Sequence, residues 1–130
     1  MDDRISQQTE NRSIPFDDFW TWLSWHYNCI VRAAHGPVIV YDDDDLHWHL
    51  GVLDDETVLV QTVRGKHAVA EIELRPTDVL RVDIAPLVEN EVAFQLISEV
   101  QGVLQAVGYF VLSHDFDADE LREGAPPTAH

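Results

Sequence analysis

The sequence contains little positive charge. Eight Lys and Arg residues stand against 24 Asp and Glu residues, which gives the 130 residues a formal net charge of −16. Lys66 is the single lysine. A chain this acidic repels nucleic acids and anionic membranes, and it attracts basic partners. We therefore predict no direct binding to nucleic acid or to membranes, and we expect a protein partner to be basic.

Cysteine, clustered glycine and long apolar runs are also scarce. The one cysteine, Cys29, excludes a disulfide within the chain. The first eight residues lack the apolar segment of a signal peptide, and no apolar run approaches the roughly 20 residues that cross a bilayer. The six glycines are scattered, so neither common phosphate-binding glycine loop is present. These absences lead us to expect a cytoplasmic protein.

The excess of acids has two interpretations. An acidic face could bind a basic partner, or the whole chain could reflect a saline habitat, because proteins of salt-accumulating organisms combine much Asp with little Lys. The acids are spread along the chain as well as clustered at Asp42–Asp45. Net charge bears on solubility and association rather than on fold, so both interpretations stay open.

The pattern of apolar residues predicts one domain at residues 14–114, between a flexible N-terminal tail (1–13) and a flexible acidic C-terminal tail (115–130). Helical spacing of apolar residues predicts a first helix from about Pro15 to Arg32 and a second from about Glu91 to Val107. Val92, Phe94 and Leu96 also fit an extended segment, so whether residues 91–107 form one unbroken helix stays open.

Between the helices, short segments separated by polar turns predict strands. Val38, Ile39 and Val40 are typical of a strand covered on both faces, whereas the later segments alternate between apolar and polar residues. Short polar turns favour antiparallel neighbours. We therefore predict an α+β fold, an antiparallel β-meander of about five to six strands packed against an N-terminal and a C-terminal helix.

The predicted second helix has a distinctive ending, Val103-Leu104-Gln105-Ala106-Val107-Gly108-Tyr109. This ending, together with the predicted order of elements, resembles small acidic peptide-binding chaperones of the type III secretion and YbjN-like kind. The resemblance implies a leading helix, a meander and a chaperone-like role.

His47-Trp48-His49 is the sharpest local motif. Residues two apart on a strand share a face, so His47 and His49 could together bind zinc or another divalent metal ion. The alternative is two exposed histidines on a solvated sheet face, with no metal. A metal site needs a third ligand, for which the candidates are His35, His67, Asp42 to Asp45 and Glu71.

The first predicted helix carries tryptophans on two faces. Trp20 and Trp22 are about 200° apart around a helix, so Trp22 and Trp25 lie away from the stripe that faces the sheet. We predict that Trp22 and Trp25 contact a partner chain or a second copy in a homodimer. Burial of the helix between the sheet and the second helix or tail is the alternative. Four acids are predicted to steer a basic partner: Asp42, Asp43, Asp44 and Asp45.

We assign no catalytic residue. Cys29 is interpreted as a packing residue, because free cysteine is among the most buried residue types. Ser113, His114 and Asp115 are neighbours in sequence, and neighbours rarely adopt triad geometry. The sequence thus favours a non-catalytic acidic protein-binding domain, such as an adaptor, a chaperone-like protein or an inhibitor of the immunity type. The alternatives are a metal-binding protein or metal-dependent enzyme using His47 and His49, and a DNA mimic that occupies a nucleic-acid-binding protein.

Overall fold

The computed structural model describes residues 12–88 and 90–123, which are mostly antiparallel β-sheet with a few helices and so fit the predicted α+β class. The elements in chain order are β1 (Arg12–Ile14), α1 (Phe16–His26), a 3₁₀ helix (Tyr27–Cys29), β2 (Ile30–His35), β3 (Val38–Tyr41), β4 (His47–Asp54), β5 (Thr57–Arg64), β6 (His67–Leu74), a second 3₁₀ helix (Pro76–Asp78), β7 (Arg81–Pro86), β8 (Val92–Val100), β9 (Val103–Leu112) and α2 (Ala118–Glu123).

The strands of the described residues form two sheets. Six strands are arranged in the order β1-β7-β8-β9-β2-β3, and three in the order β4-β5-β6. Every paired neighbour is antiparallel. The larger sheet is not a simple meander, because β2 pairs with β9, a strand that lies near the other end of the sequence.

One cluster of buried apolar side chains joins α1 to both sheets. On α1, Phe19 has no exposed surface, and its ring centroid lies 5.1 Å from that of Phe94 on β8 and 5.5 Å from that of Phe110 on β9. The small sheet adds Trp48 and Ile72 to the same cluster. The apolar stripe predicted for the first helix thus packs on strands, as its spacing indicated.

The predicted second helix is wrong, because residues 92–112 form the β8–β9 hairpin. Gln101 and Gly102 make its turn with positive φ angles of 53° and 81°, the backbone that two-residue hairpins require. A shift in register between Leu96 and Ile97 breaks the alternation of β8, which is why its apolar residues imitated helical spacing. The segment that carried the resemblance to chaperones is accordingly a strand.

The first helix is shorter than predicted, and the strands are more numerous. Helix α1 ends at His26 rather than near Arg32, since Ile30 to His35 pairs with β9 on one side and β3 on the other. This pairing satisfies the backbone on both edges and outweighs the helical spacing of the side chains. The described residues form nine strands, against the five to six predicted.

The packed part of the chain extends into both predicted tails, residues 1–13 and 115–130. Residues 12–14 pair with β7, Phe116 is buried in the core, and α2 follows it. Residues 1–11 and 124–130 lie outside the described residues, so the flexible tails stay a prediction there.

Gly108 on β9 lies where a side chain has no room. A Cβ atom there would come 2.6 Å from the backbone carbonyl oxygen of Ala34 on β2. We expect Gly108→Ala to lower the free energy of unfolding by about 1–3 kcal/mol, because overpacking forces the backbone to shift. The control is Gly51→Ala on β4, where the nearest atom would be in the His49 side chain at 3.6 Å. Equal urea midpoints for Gly108→Ala and the wild type would contradict this packing.

Asp83 holds β1 against β7. Its Oδ1 atom accepts hydrogen bonds from Ser13 Oγ at 2.7 Å and from Arg81 Nε at 2.8 Å. The hydrogen bond from Arg81 holds the pKa of Asp83 below its ordinary value. A carboxylate whose pKa falls on folding stabilises the fold above its unfolded-state pKa, and this contribution disappears as the pH falls through the folded-state pKa.

We therefore expect Asp83→Asn to be less stable than the wild type near neutral pH. The difference in unfolding free energy should begin to shrink below about pH 4, the ordinary range for aspartate. Denaturant titrations of both proteins across this range measure the difference. A difference that stays constant down to the lowest pH would show that the Asp83 carboxylate is not stabilised by Arg81.

Candidate functional site

Strand β3 forms one outer edge of the six-stranded sheet. Within residues 12–88 and 90–123, β3 pairs with β2 alone, so its other edge carries unpaired backbone N–H and C=O groups. Val38, Ile39 and Tyr41 are exposed, Ile39 to 52% and Tyr41 to 62%. The prediction that this strand is covered on both faces is therefore wrong, since only Val40 is buried. An apolar edge of this kind can accept a further strand.

The acidic run begins directly where β3 ends. The Asp42 backbone N donates to the Val31 carbonyl at 2.9 Å, and the Leu46 backbone N donates to the Asp43 carbonyl at 3.0 Å. These bonds hold the loop beside the end of the exposed strand. All four acids are exposed. The fold thus places Asp42–Asp45, which were selected from the sequence, beside the apolar edge of β3, which was not predicted from the sequence.

Asp42 differs from the three acids that follow it. Its Oδ1 atom accepts a hydrogen bond from Trp48 Nε1 at 3.1 Å, and Trp48 is buried in the core. The Asp42 carboxylate therefore serves as the hydrogen-bond acceptor for the indole N–H of Trp48. Among the described residues, the carboxylates of Asp43, Asp44 and Asp45 make no comparable hydrogen bond.

The two tryptophans predicted to contact a partner occupy different environments. Trp22 has 0% exposed surface, and its ring lies 5.3 Å from that of Phe94 and 5.2 Å from that of Phe116. The prediction that Trp22 contacts a partner is wrong, because β8 and the segment before α2 cover this side of α1. Trp25 is half-buried at the margin of the core, so part of its surface remains accessible.

His47 and His49 lie on β4, exposed, with Trp48 buried between them as the alternation predicted. In the register of the small sheet, His49 pairs with Gln61 and Gln61 with Glu71. Glu71 therefore shares the face but stands two strands away, about 9–10 Å from His49. Gln61 lies between them and donates to Glu71 Oε2 at 2.8 Å.

The described residues place no third ligand beside His47 and His49. Within them, the group of three His, Cys, Asp or Glu side chains close enough to share a metal ion lies elsewhere. Metal binding by His47 and His49 stays a prediction. The described residues bring none of the suggested third ligands close enough to share an ion with them.

The group of three consists of His26 at the end of α1, Cys29 in the following 3₁₀ helix and His114 just after β9. One ligand atom from each lies within 4.8 Å of those of the other two. The imidazole rings of His26 and His114 stack with centroids 4.2 Å apart. His26 is buried, while Cys29 and His114 are half-buried. This cluster was missed in the sequence, where its one local signal is the spacing of His26 and Cys29, three residues apart.

Glu120 on α2 connects this cluster to the core. Its Oε1 atom accepts hydrogen bonds from His26 Nε2 and from Trp22 Nε1, both at 2.8 Å. Burial raises the pKa of the Cys29 thiol, and a protonated thiol is a weak nucleophile. The raised pKa therefore disfavours attack of Cys29 on a substrate.

Comparison with known proteins finds no family, no curated protein and no solved structure that matches this chain. In the part of the chain that the structure describes, no helix combines the length and the apolar character needed to cross a membrane. Function must therefore follow from the geometry of the sites above.

The contact between Asp42 and Trp48 gives a direct test of the acidic loop. We expect Asp42→Ala to lower the free energy of unfolding by about 1 kcal/mol, because it removes the hydrogen bond to the Trp48 indole N–H. Asp44→Ala, the matched control, should change stability by less than about 0.5 kcal/mol. Urea titration measures both values. Equal effects of the two substitutions would show that the four acids are equivalent.

Proposed function

We propose that this protein is a non-catalytic binding domain that takes up an extended, basic segment of a partner protein along the free edge of β3. One observation carries the proposal: an exposed apolar edge strand leads directly into a run of four acids. Backbone pairing with an edge strand supplies affinity that does not depend on sequence, and the side chains around it supply selectivity.

The side chains of β3 suit such a partner. Side chains alternate along a strand, so Ile39 and Tyr41 share the face opposite to buried Val40. An added strand would place its own alternate side chains beside these two. Lysine or arginine beyond the apolar part of the segment would then lie near Asp43, Asp44 and Asp45.

Charge favours a basic partner over a second copy of the chain. Two copies would each bring a formal charge of −16, and their mutual repulsion opposes association. The same charge steers a cationic segment toward the protein and raises its association rate. The homodimer expected from the sequence stays a prediction, and the β3 edge is one surface that it could use.

Two synthetic peptides serve as probes, one alternating valine with lysine and the other alternating valine with glutamate. We expect the lysine peptide to shift the backbone amide resonances of β3 and to slow their hydrogen exchange. The glutamate peptide should do neither. Shifts confined to another edge, such as β4 or β6, would overturn the proposed location. Equal binding of the two peptides would overturn the role of charge.

Apolar contact is tested with paired variants. The double variant V38T/I39T keeps β-branched residues on β3 but removes apolar surface. We expect it to weaken binding of the lysine peptide by about tenfold, since losing a central apolar contact costs on the order of 1 kcal/mol or more. The control V52T/L53T makes the same kind of change on β4, where both residues are exposed, and should leave affinity unchanged. Equal losses in the two variants would refute the site.

The acids are tested separately from the apolar edge. The triple variant D43N/D44N/D45N should slow association of the lysine peptide and reduce its dependence on salt, with stability unchanged. The control D55N/E73Q/E99Q removes the same charge from exposed positions elsewhere. If both variants slow association equally, the whole charge of the protein attracts the peptide and the loop has no special role.

Light scattering distinguishes self-association of the chain from binding of a different partner. A stable dimer that dissociates in V38T/I39T would assign the β3 edge to self-association and overturn the choice of a basic partner. A monomer, or a dimer that V38T/I39T leaves intact, keeps the edge free for the lysine peptide.

A further inference from the structure

We infer that His26, Cys29 and His114 bind a zinc ion where the end of α1, the following 3₁₀ helix and the end of β9 meet. Two imidazoles and a thiolate form a donor set that suits zinc and discriminates against magnesium and calcium, which prefer oxygen ligands. The three residues offer three protein ligands and leave a fourth position for water or another ligand.

The spacing of the three side chains is close to that of a tetrahedral zinc site. With Zn–S near 2.3 Å and Zn–N near 2.0–2.1 Å, ligand atoms around tetrahedral zinc stand about 3.3–3.6 Å apart. The candidate ligand atoms of His26, Cys29 and His114 already lie within 4.8 Å of one another. Closing the site would require these atoms to come about 1 Å nearer to one another and the stacked rings of His26 and His114 to turn toward the ion.

The backbone around the cluster is fixed by strand pairing. Ile30, the residue after Cys29, pairs with Leu112, and the Ser113 backbone N donates to the Cys29 carbonyl at 2.9 Å. His114 follows directly. Cys29 and His114 are thus held together by the register of β2 and β9, and a site that is formed before binding loses less entropy when the ion arrives.

Glu120 provides the outer support that a metal-binding histidine usually has. Its carboxylate accepts from His26 Nε2 at 2.8 Å, which fixes the ring and leaves the lone pair on Nδ1 for a metal. Ligating histidines commonly donate their other N–H to a carboxylate in this way. Trp22 Nε1 donates to the same oxygen at 2.8 Å, so the carboxylate is itself held in place.

The zinc site is tested on the full chain after removal of metal with a chelator. We expect one zinc ion to bind per chain and to raise the melting temperature, because an ion that binds only the folded state stabilises it. Cobalt(II) in place of zinc should give a thiolate-to-cobalt absorption band that Cys29→Ser abolishes. Folded protein that binds no zinc and shows no such band would overturn the proposal and leave the cluster as a buried polar network.

Variants locate the ion. Glu120→Gln should lower zinc affinity by about 10–100-fold, the usual effect of losing an outer partner, and Cys29→Ser should lower it further. The control H47A/H49A removes two exposed histidines and should keep full affinity. Loss of zinc in H47A/H49A together with retention in Cys29→Ser would move the site to β4 and refute this one.

A second variant covers the case in which Cys29→Ser does not fold. His114→Asn changes a half-buried ligand outside the helix, and we expect it to lose zinc while keeping the circular dichroism of the folded chain. Unchanged zinc affinity in folded His114→Asn would also refute the proposal.

Discussion

The pairing of β2 with β9 determines how the rest of the molecule is arranged. Ala33 faces Phe110, and Ala34 faces Tyr109, in the middle of this pair. Because β9 occupies one side of β2, the short strand β3 can pair only on the other side and becomes the edge of the sheet. Gly108 permits the two backbones to approach closely, since any Cβ atom there would collide with the carbonyl of Ala34. One pairing therefore creates the exposed edge and also brings Cys29 beside His114.

Four of the 24 acids lie directly beside the free edge of β3. An exposed apolar edge strand is a hazard, because it can pair with other copies of the chain and aggregate. Charged residues that flank such a strand oppose this pairing, and Asp42 to Asp45 lie directly after β3. The same carboxylates favour a partner of opposite charge. A saline habitat would explain acids spread over the whole surface, so both interpretations of the net charge remain predictions.

The features that could be predicted from the sequence are those set by local spacing. Trp48 is buried between two exposed histidines because side chains alternate along a strand, and Ile72 and Leu74 point inward on β6 for the same reason. Residues 91–107 were misjudged because the irregular register at Leu96 and Ile97 hides the alternation. Gly102 is disfavoured inside a helix, and in the structure it lies in the hairpin turn with a positive φ angle.

The candidate sites depend on pairings that the sequence does not reveal. Cys29 and His114 are far apart in sequence, and only the register of β2 and β9 brings them together. Trp22 was expected to contact a partner because it lies about 200° around the helix from Trp20, whereas the segment after β9, including Phe116, covers this face of α1. The exposure of Ile39 likewise follows from the position of β3 in the sheet and not from its composition.

The central claim is that β3 is an open edge beside an internal β2. Hydrogen exchange of individual backbone amides, followed by NMR in the free protein, tests it most directly. In an edge strand only alternate N–H groups are bonded to the neighbour, so the account predicts that slow and fast exchange alternate along Val38 to Tyr41, while the amides of β2 from Arg32 to His35 exchange slowly. Uniformly slow exchange along β3 would show that its outer edge is already covered and would contradict the account.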